Sequence, residues 1–82
     1  MLFRSATPSD ERLKTNIVLV GREAGHNIYT WDWIEGFDGG YDTGVLAQEV
    51  MDINPEAVSV MDNGYYGVDY DMIGIKPETT GV

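Results

Sequence analysis

The sequence predicts a small single α+β domain in which short helices pack on antiparallel strands and a hairpin. Three observations predict it. Asn16–Val20 is a β-branched apolar run closed by Gly21, Ile28–Trp33 alternates with period two, and Val45–Ile53 repeats its apolar residues at helical spacing. No repeat or shift in composition divides the 82 residues, so one domain is expected. Its parts read as an arm over residues 1–8, a folded unit over 9–75 and a tail over 76–82.

The arm is extended, because Pro8 disfavours helix at Thr7. Ser9 reads as a helix cap, with Asp10 and Glu11 in a first turn where the macrodipole favours acids, and the helix runs from Asp10 to Lys14. Asn16–Val20 is then a buried strand, and 21–27 a connector that leaves His26 as an exposed polar residue. In the next strand Tyr29, Trp31 and Trp33 share one face while Ile28, Thr30 and Asp32 share the other. Gly36–Asp42 is a glycine-rich loop, and Thr43 caps an amphipathic helix, Val45 to Ile53, that Asn54-Pro55 stops. Ala57–Met61 reads as a strand, Asn63-Gly64 as a type I′ hairpin turn, and Tyr65–Tyr70 as the return strand. The tail is polar and irregular.

Composition excludes several functions. Fourteen acidic residues against five basic ones give a net charge of −9, which argues against nucleic acid and against anionic membrane surfaces. No apolar run approaches the roughly 20 residues that cross a bilayer, and Met1–Arg4 is too short for a secretory signal. There is no cysteine, and the single histidine, His26, cannot make a zinc site alone, so neither metal nor cofactor is expected. A chain of this length buries roughly 60% of its unfolded surface and is marginal by itself. Without disulfides or metals, assembly with other chains is the remaining support.

The chemistry-bearing pair is Ser9 and Lys14, five positions apart and directly after Pro8. A serine beside a lysine that can lose its proton is a minimal nucleophile and base. A solvated lysine with a pKa of about 10.4 is neutral in roughly one molecule in 2,500 at pH 7, so the amine must be dehydrated to act. So small a domain offers little depth, and a subunit interface is the expected source of that dehydration. The alternative on spacing alone is that Ser9 merely caps a helix and Lys14 is solvated. Other constellations read as structural. Asp32, Asp38 and Asp42 around the glycine-rich loop lack calcium-loop spacing, and Asp69 and Asp71 sit at a strand end. Gly36, Gly39 and Gly40 lack the Lys-Ser/Thr of a phosphate loop. Trp31 and Trp33 would stack a sugar if exposed together, though such a stripe also suits a core or an interface.

Five pieces in order carry a resemblance: Ser9-Asp10-Glu11-Arg12-Leu13-Lys14 with Asn16-Ile17; Tyr29-Thr30-Trp31; Gly44-Val45-Leu46-Ala47-Gln48-Glu49-Val50; Pro55-Glu56-Ala57-Val58; and Val68-Asp69-Tyr70. From Ser9 to about Ile73 the chain resembles the self-cleaving C-terminal intramolecular chaperone domain of phage endosialidases, tail spikes and tail fibres, a module also found in the myelin regulatory factor. The resemblance implies a homotrimer that helps a fibre fold and register and then cuts itself away. It implies Ser9 as nucleophile, Lys14 as general base, and Pro8–Ser9 as the scissile bond, with Gln48 and Glu49 organising the fold. Its partners would be phage tail-fibre or other virion proteins, in the virion or in the host cytoplasm during assembly. Two departures stand out. The family runs on past Val-Asp-Tyr into a long apolar helix, whereas here Asp71–Ile75 meets Lys76-Pro77, and only eight residues precede Ser9. The chain is then either cut from a longer product or a free-standing relative, and the alternative function is a non-cleaving fibre tip or adaptor of the same fold.

Overall fold

The computed structural model describes residues 6–34 and 40–75. In chain order the elements are β1 (Thr7–Pro8), a 3-10 helix (Glu11–Leu13), β2 (Lys14–Glu23), β3 (His26–Trp33), β4 (Tyr41–Gly44), α1 (Ala47–Ile53), a second 3-10 helix (Pro55–Ala57), β5 (Val58–Val60), β6 (Tyr66–Val68) and α2 (Tyr70–Ile73). The strands form two antiparallel sheets, ordered β1-β6-β5 and β2-β3-β4. The mixed α+β class expected from the sequence is therefore present.

One cluster of Val45, Ala47, Val50, Ala57, Val68, Tyr70, Ile73 and Ile75 forms the core. Ala47 and Val50, one turn apart on α1, enter it together. Pro55 ends α1 as expected, because proline cannot continue the ladder, and the chain tightens into the second 3-10 helix. Tyr29 Oη donates to Glu49 Oε2 at 2.7 Å and ties β3 to α1. Gln48 binds the segment before β2: its Nε2 donates to Asp10 Oδ1 at 2.8 Å and its Oε1 accepts from Glu11 N at 2.9 Å.

Several expectations are corrected. Asp10, not Ser9, caps the first helical turn, by accepting from Arg12 N. That turn is only Glu11–Leu13, and Lys14 already belongs to β2. The strand expected to be buried is exposed: Ile17, Val18, Leu19 and Val20 are 38, 55, 58 and 55% accessible, because no described element covers either face of β2 there. The connector over 21–27 is a two-residue turn. Ala24 (φ 54°) and Gly25 (φ 84°) lie between paired Glu23 and His26, the type I′ arrangement whose twist suits a hairpin. His26 consequently opens β3 and is buried, its Nε2 2.9 Å from the Asn54 amide nitrogen.

The Asn63-Gly64 turn differs in type. Only Gly64 has positive φ (85°), Gly64 N donates to Met61 O at 2.9 Å, and Met61 N donates to Tyr65 O at 2.8 Å. This is a type I turn followed by a left-handed glycine bulge. Thr43 lies within β4 and caps nothing; α1 starts at Ala47 after the extended Leu46. The flanking strands are shorter than expected, and the return strand stops at Val68 because Asp69 accepts from Asp71 N and starts α2 at Tyr70. Most of the glycine-rich loop, Asp38 included, the arm before Ala6 and the tail from Lys76 lie outside the described residues.

Candidate active site

β1 and β2 bring the two ends of the Ser9–Lys14 segment together. Ser9 N donates to Tyr66 O at 3.1 Å, extending the β1–β6 pairing, and the 3-10 turn reverses the chain so that Lys14 enters β2 beside it. Asp10 locks this reversal. Its buried carboxylate accepts from Arg12 N (2.9 Å), Arg12 Nε (3.0 Å), Arg12 Nη2 (2.7 Å), Gln48 Nε2 (2.8 Å) and Tyr66 N (3.0 Å). Burial alone would raise the Asp10 pKa, but these donors, Arg12 foremost, hold it well below the usual carboxylate range. The Arg12 guanidinium also stacks over Tyr65, 4.9 Å from the ring centre.

Ser9 has no accessible surface and Lys14 only 6%. Lys14 Nζ lies 3.0 Å from Ser9 Oγ, 2.9 Å from Ser9 O and 2.7 Å from Val45 O. Trp31, 2% accessible, lays its ring over the amine with its centre 3.7 Å from Nζ. Trp33 packs edge-on against Trp31, 5.4 Å between centres. Burial pushes the Lys14 amine down to about 7, against the opposing pull of Asp10, Asp42 and Glu11. Dehydration is thus achieved inside one chain. The expectation that sister subunits must supply it is corrected, because the aromatic face of β3 does so instead.

The proton count at Nζ follows. Two carbonyl oxygens claim two N–H groups whether the amine is charged or neutral. The third tetrahedral position faces Ser9 Oγ. In the cation it holds an N–H; in the neutral amine it holds the lone pair, directed at the serine hydroxyl at a distance suited to proton transfer. Ser9 Oγ itself donates to Val45 O.

Sequence reasoning missed Tyr70 and Gly44, and did not bring Trp31 or Val45 to Lys14. Tyr70, read as the end of a strand, sits at the start of α2, buried, where its oxygen accepts from Val45 N at 3.1 Å. Burial raises its pKa, against the lowering effects of the Val45 N–H and the Ser9 hydroxyl. Gly44 makes that approach possible: a Cβ there would overlap the Tyr70 hydroxyl and lie 3.1 Å from Trp31 Cη2. A glycine directly before Val45 was the available signal. Burial of Trp31 also removes the sugar-stacking reading, which needed both indoles exposed. The surface clefts lined by Arg22, Asn27, Glu49 and Asp52, and by Ala6, Glu56, Ser59 and Asp69, contain neither Ser9 nor Lys14. Among the described residues no helix is long and apolar enough to cross a membrane.

Comparison with known proteins gives one family. The family model described as chaperone of endosialidase matches residues 9–59, more than half of the chain, and thereby spans Ser9, Lys14, Trp31, Gly44 and Val45 but not Tyr70. No curated protein matches, and no solved structure matches.

Proposed function

The chain belongs to the chaperone-of-endosialidase family, and from that premise we propose that Ser9 and Lys14 form a self-cleaving dyad that cuts the Pro8–Ser9 bond. The module would assist assembly of a homotrimeric phage tail fibre or tail spike and act in the virion or in the host cytoplasm during assembly. The observation that carries the reading is a buried amine, set near pH 7, at 3.0 Å from a buried serine hydroxyl. A surface lysine beside a capping serine would have neither feature.

The chemistry runs as an intramolecular acyl shift. Ser9 Oγ attacks the Pro8 carbonyl carbon while neutral Lys14 takes the hydroxyl proton. The C–N bond to Ser9 breaks as Lys14 returns that proton to the leaving amine, which leaves an ester between Pro8 and Ser9 Oγ. Water then adds to the ester carbonyl and the C–O bond breaks, giving a Pro8 carboxylate and a new amino terminus at Ser9. One water is consumed.

The exposed apolar stretch Ile17–Val20 supports an assembly, since β2 pairs only with β3 among the described residues and leaves its other edge open. Mass spectrometry of the protein carrying its natural upstream sequence tests the cleavage. A product beginning at Ser9 is expected from wild type and from neither Ser9→Ala nor Lys14→Ala. A wild-type protein that stays intact after assembly would remove the catalytic claim and leave a structural virion component.

A further inference from the structure

We infer that Asn16 is a positioning residue of this site: its left-handed kink in β2 turns its own side chain away and leaves the Trp31 ring room to cover Lys14. The inference rests on the dyad reading above and adds to it a residue outside the dyad.

The register shows what the kink does. Lys14 pairs with Trp33 and Thr15 with Asp32, but the next pair is Val18 with Thr30, so Asn16 and Ile17 together face Trp31. This is a β-bulge with its extra residue on β2. Asn16 carries it at φ 55°, a region that non-glycine residues rarely adopt and that asparagine tolerates better than most. β3 keeps an unbroken pairing with β4 over Tyr29–Asp32, so Trp31 lies on one face of the sheet and Asp32 on the other. Lys14, paired with Trp33, shares the Trp31 face. By alternation the residue two after Lys14 belongs on that face as well. The Asn16 side chain is instead exposed and donates from Nδ2 to Asp32 Oδ2 at 3.0 Å, on the far face.

An unkinked strand would set that side chain against the Trp31 ring. The ring now lies with its centre 3.7 Å from Lys14 Nζ and is 2% accessible. An amide in its place would bring a polar group, and water with it, to an amine whose neutrality depends on dehydration. Of the two non-glycine residues with positive φ, Ala24 sits in the hairpin turn, where the twist calls for it. Asn16 lies inside a ten-residue strand, where no turn does. Backbone strain of this kind persists when its surroundings hold it, here the Asp32 bond and ladder pairing on either side.

The test uses the full chain with its natural upstream sequence for cutting, and its Ser9→Ala form for titration. The Lys14 midpoint is read from the carbon-13 shift of its Cε by nuclear magnetic resonance, and cleavage by mass spectrometry at pH 7 and pH 9. Asn16→Val resists φ > 0 and favours extended strand. It should raise the midpoint by about one unit and slow cleavage at pH 7 about fivefold, with the rate nearly regained at pH 9. Asp10, Asp42 and Glu11, the acids that pull the Lys14 pKa upward, stay in every variant, so the shift reads dehydration. Asn16→Gly takes φ > 0 freely and should keep both midpoint and rate near wild type. Ala24→Val, strained in the same way beyond the opposite end of β2, should lower stability and leave the midpoint in place. Circular dichroism checks folding, and Asn16→Ala carries the same expectation where valine unfolds the chain. A folded Asn16→Val with wild-type midpoint and rate, or slowed equally at both pH values, overturns the inference and leaves the dyad standing. So does Asn16→Gly if it shifts as far as Asn16→Val. A wild-type Lys14 midpoint at its ordinary value overturns the dyad itself, and this inference with it.

Discussion

The burial of Lys14 predicts a signature in stability as well as in cutting. Moving the amine from its ordinary value of 10.5 to about 7 corresponds to about 5 kcal/mol. The sign follows from proton counting. Between pH 7 and about 10 the unfolded chain holds a proton on Lys14 and the folded chain does not, so stability rises with pH by about 1.4 kcal/mol per unit. Below about pH 7 both states are protonated and the full cost of the buried cation is present; above about 10.5 neither is, and the cost has gone. Urea unfolding of Ser9→Ala and Ser9→Ala/Lys14→Met chains between pH 7 and 9 isolates this term, because every other titrating group cancels in the difference and no bond can be cut. The lysine chain should gain about 2.3 kcal/mol on the methionine chain over those two units, since half of the folded chains still hold the proton at pH 7. Parallel pH profiles would mean that Lys14 stays charged in the folded chain, and the argument for it as a base would fail.

Other consequences are read more simply. Cleavage by the proposed dyad should rise about tenfold per pH unit up to about 7 and then level, as stopped time courses followed by mass spectrometry would record. Asp10→Asn places an amide N–H₂ among donors that face carboxylate oxygens, and should cost about 3 kcal/mol in chemical unfolding. It should also move the midpoint of the cleavage profile to lower pH, because the Asp10 charge raises the Lys14 pKa. Wild-type stability should fall with pH below about 4, where a carboxylate held low only in the folded state takes up its proton on unfolding. Ala24→Asn, at a position with φ 54°, should raise stability by about 0.5–1 kcal/mol in thermal melts. Leu19→Asp, on an exposed strand, should change protomer stability by less than about 0.5 kcal/mol and lower the assembled mass in light scattering if β2 lies in the subunit contact.

The elements whose signals are local were legible in the sequence. Helix α1 announces itself by the spacing of its apolar residues and by the proline after it, and β3 by strict alternation. Burial was not local. Ile17–Val20 has the composition of an inner strand, yet composition cannot say whether another element will cover it. The two turns show the same limit. Asn63-Gly64 carries the stronger type I′ signal, but Ala24-Gly25 adopts that turn because Glu23 and His26 are brought opposite one another by the β2–β3 register. At the site, Ser9 and Lys14 could be named from five positions of sequence. Trp31, Val45 and Tyr70 arrive from distant positions through sheet pairing and core packing, with no spacing rule to announce them.

Where the amine is dehydrated bears on how cutting would be controlled. A base buried by docked subunits would be inactive in the free protomer, which is an economical safeguard. Here Trp31 and the Ser9 and Val45 carbonyls surround Lys14 within one chain, so folding of the protomer alone sets the amine near neutrality. Any delay of cleavage until assembly would then act on the other reactant, the Pro8 carbonyl. That carbonyl belongs to β1, a two-residue strand held by pairing of Thr7 with Val68 and Pro8 with Gly67. Gly67 allows this close approach: a Cβ there would lie 2.7 Å from Met61 Sδ and 2.9 Å from Ala6 Cβ. Gly67→Ala should therefore slow cleavage while leaving the Lys14 titration in place. If it moved that titration as far as it slowed the cutting, arm and base would be one unit, and control through the arm alone would be wrong.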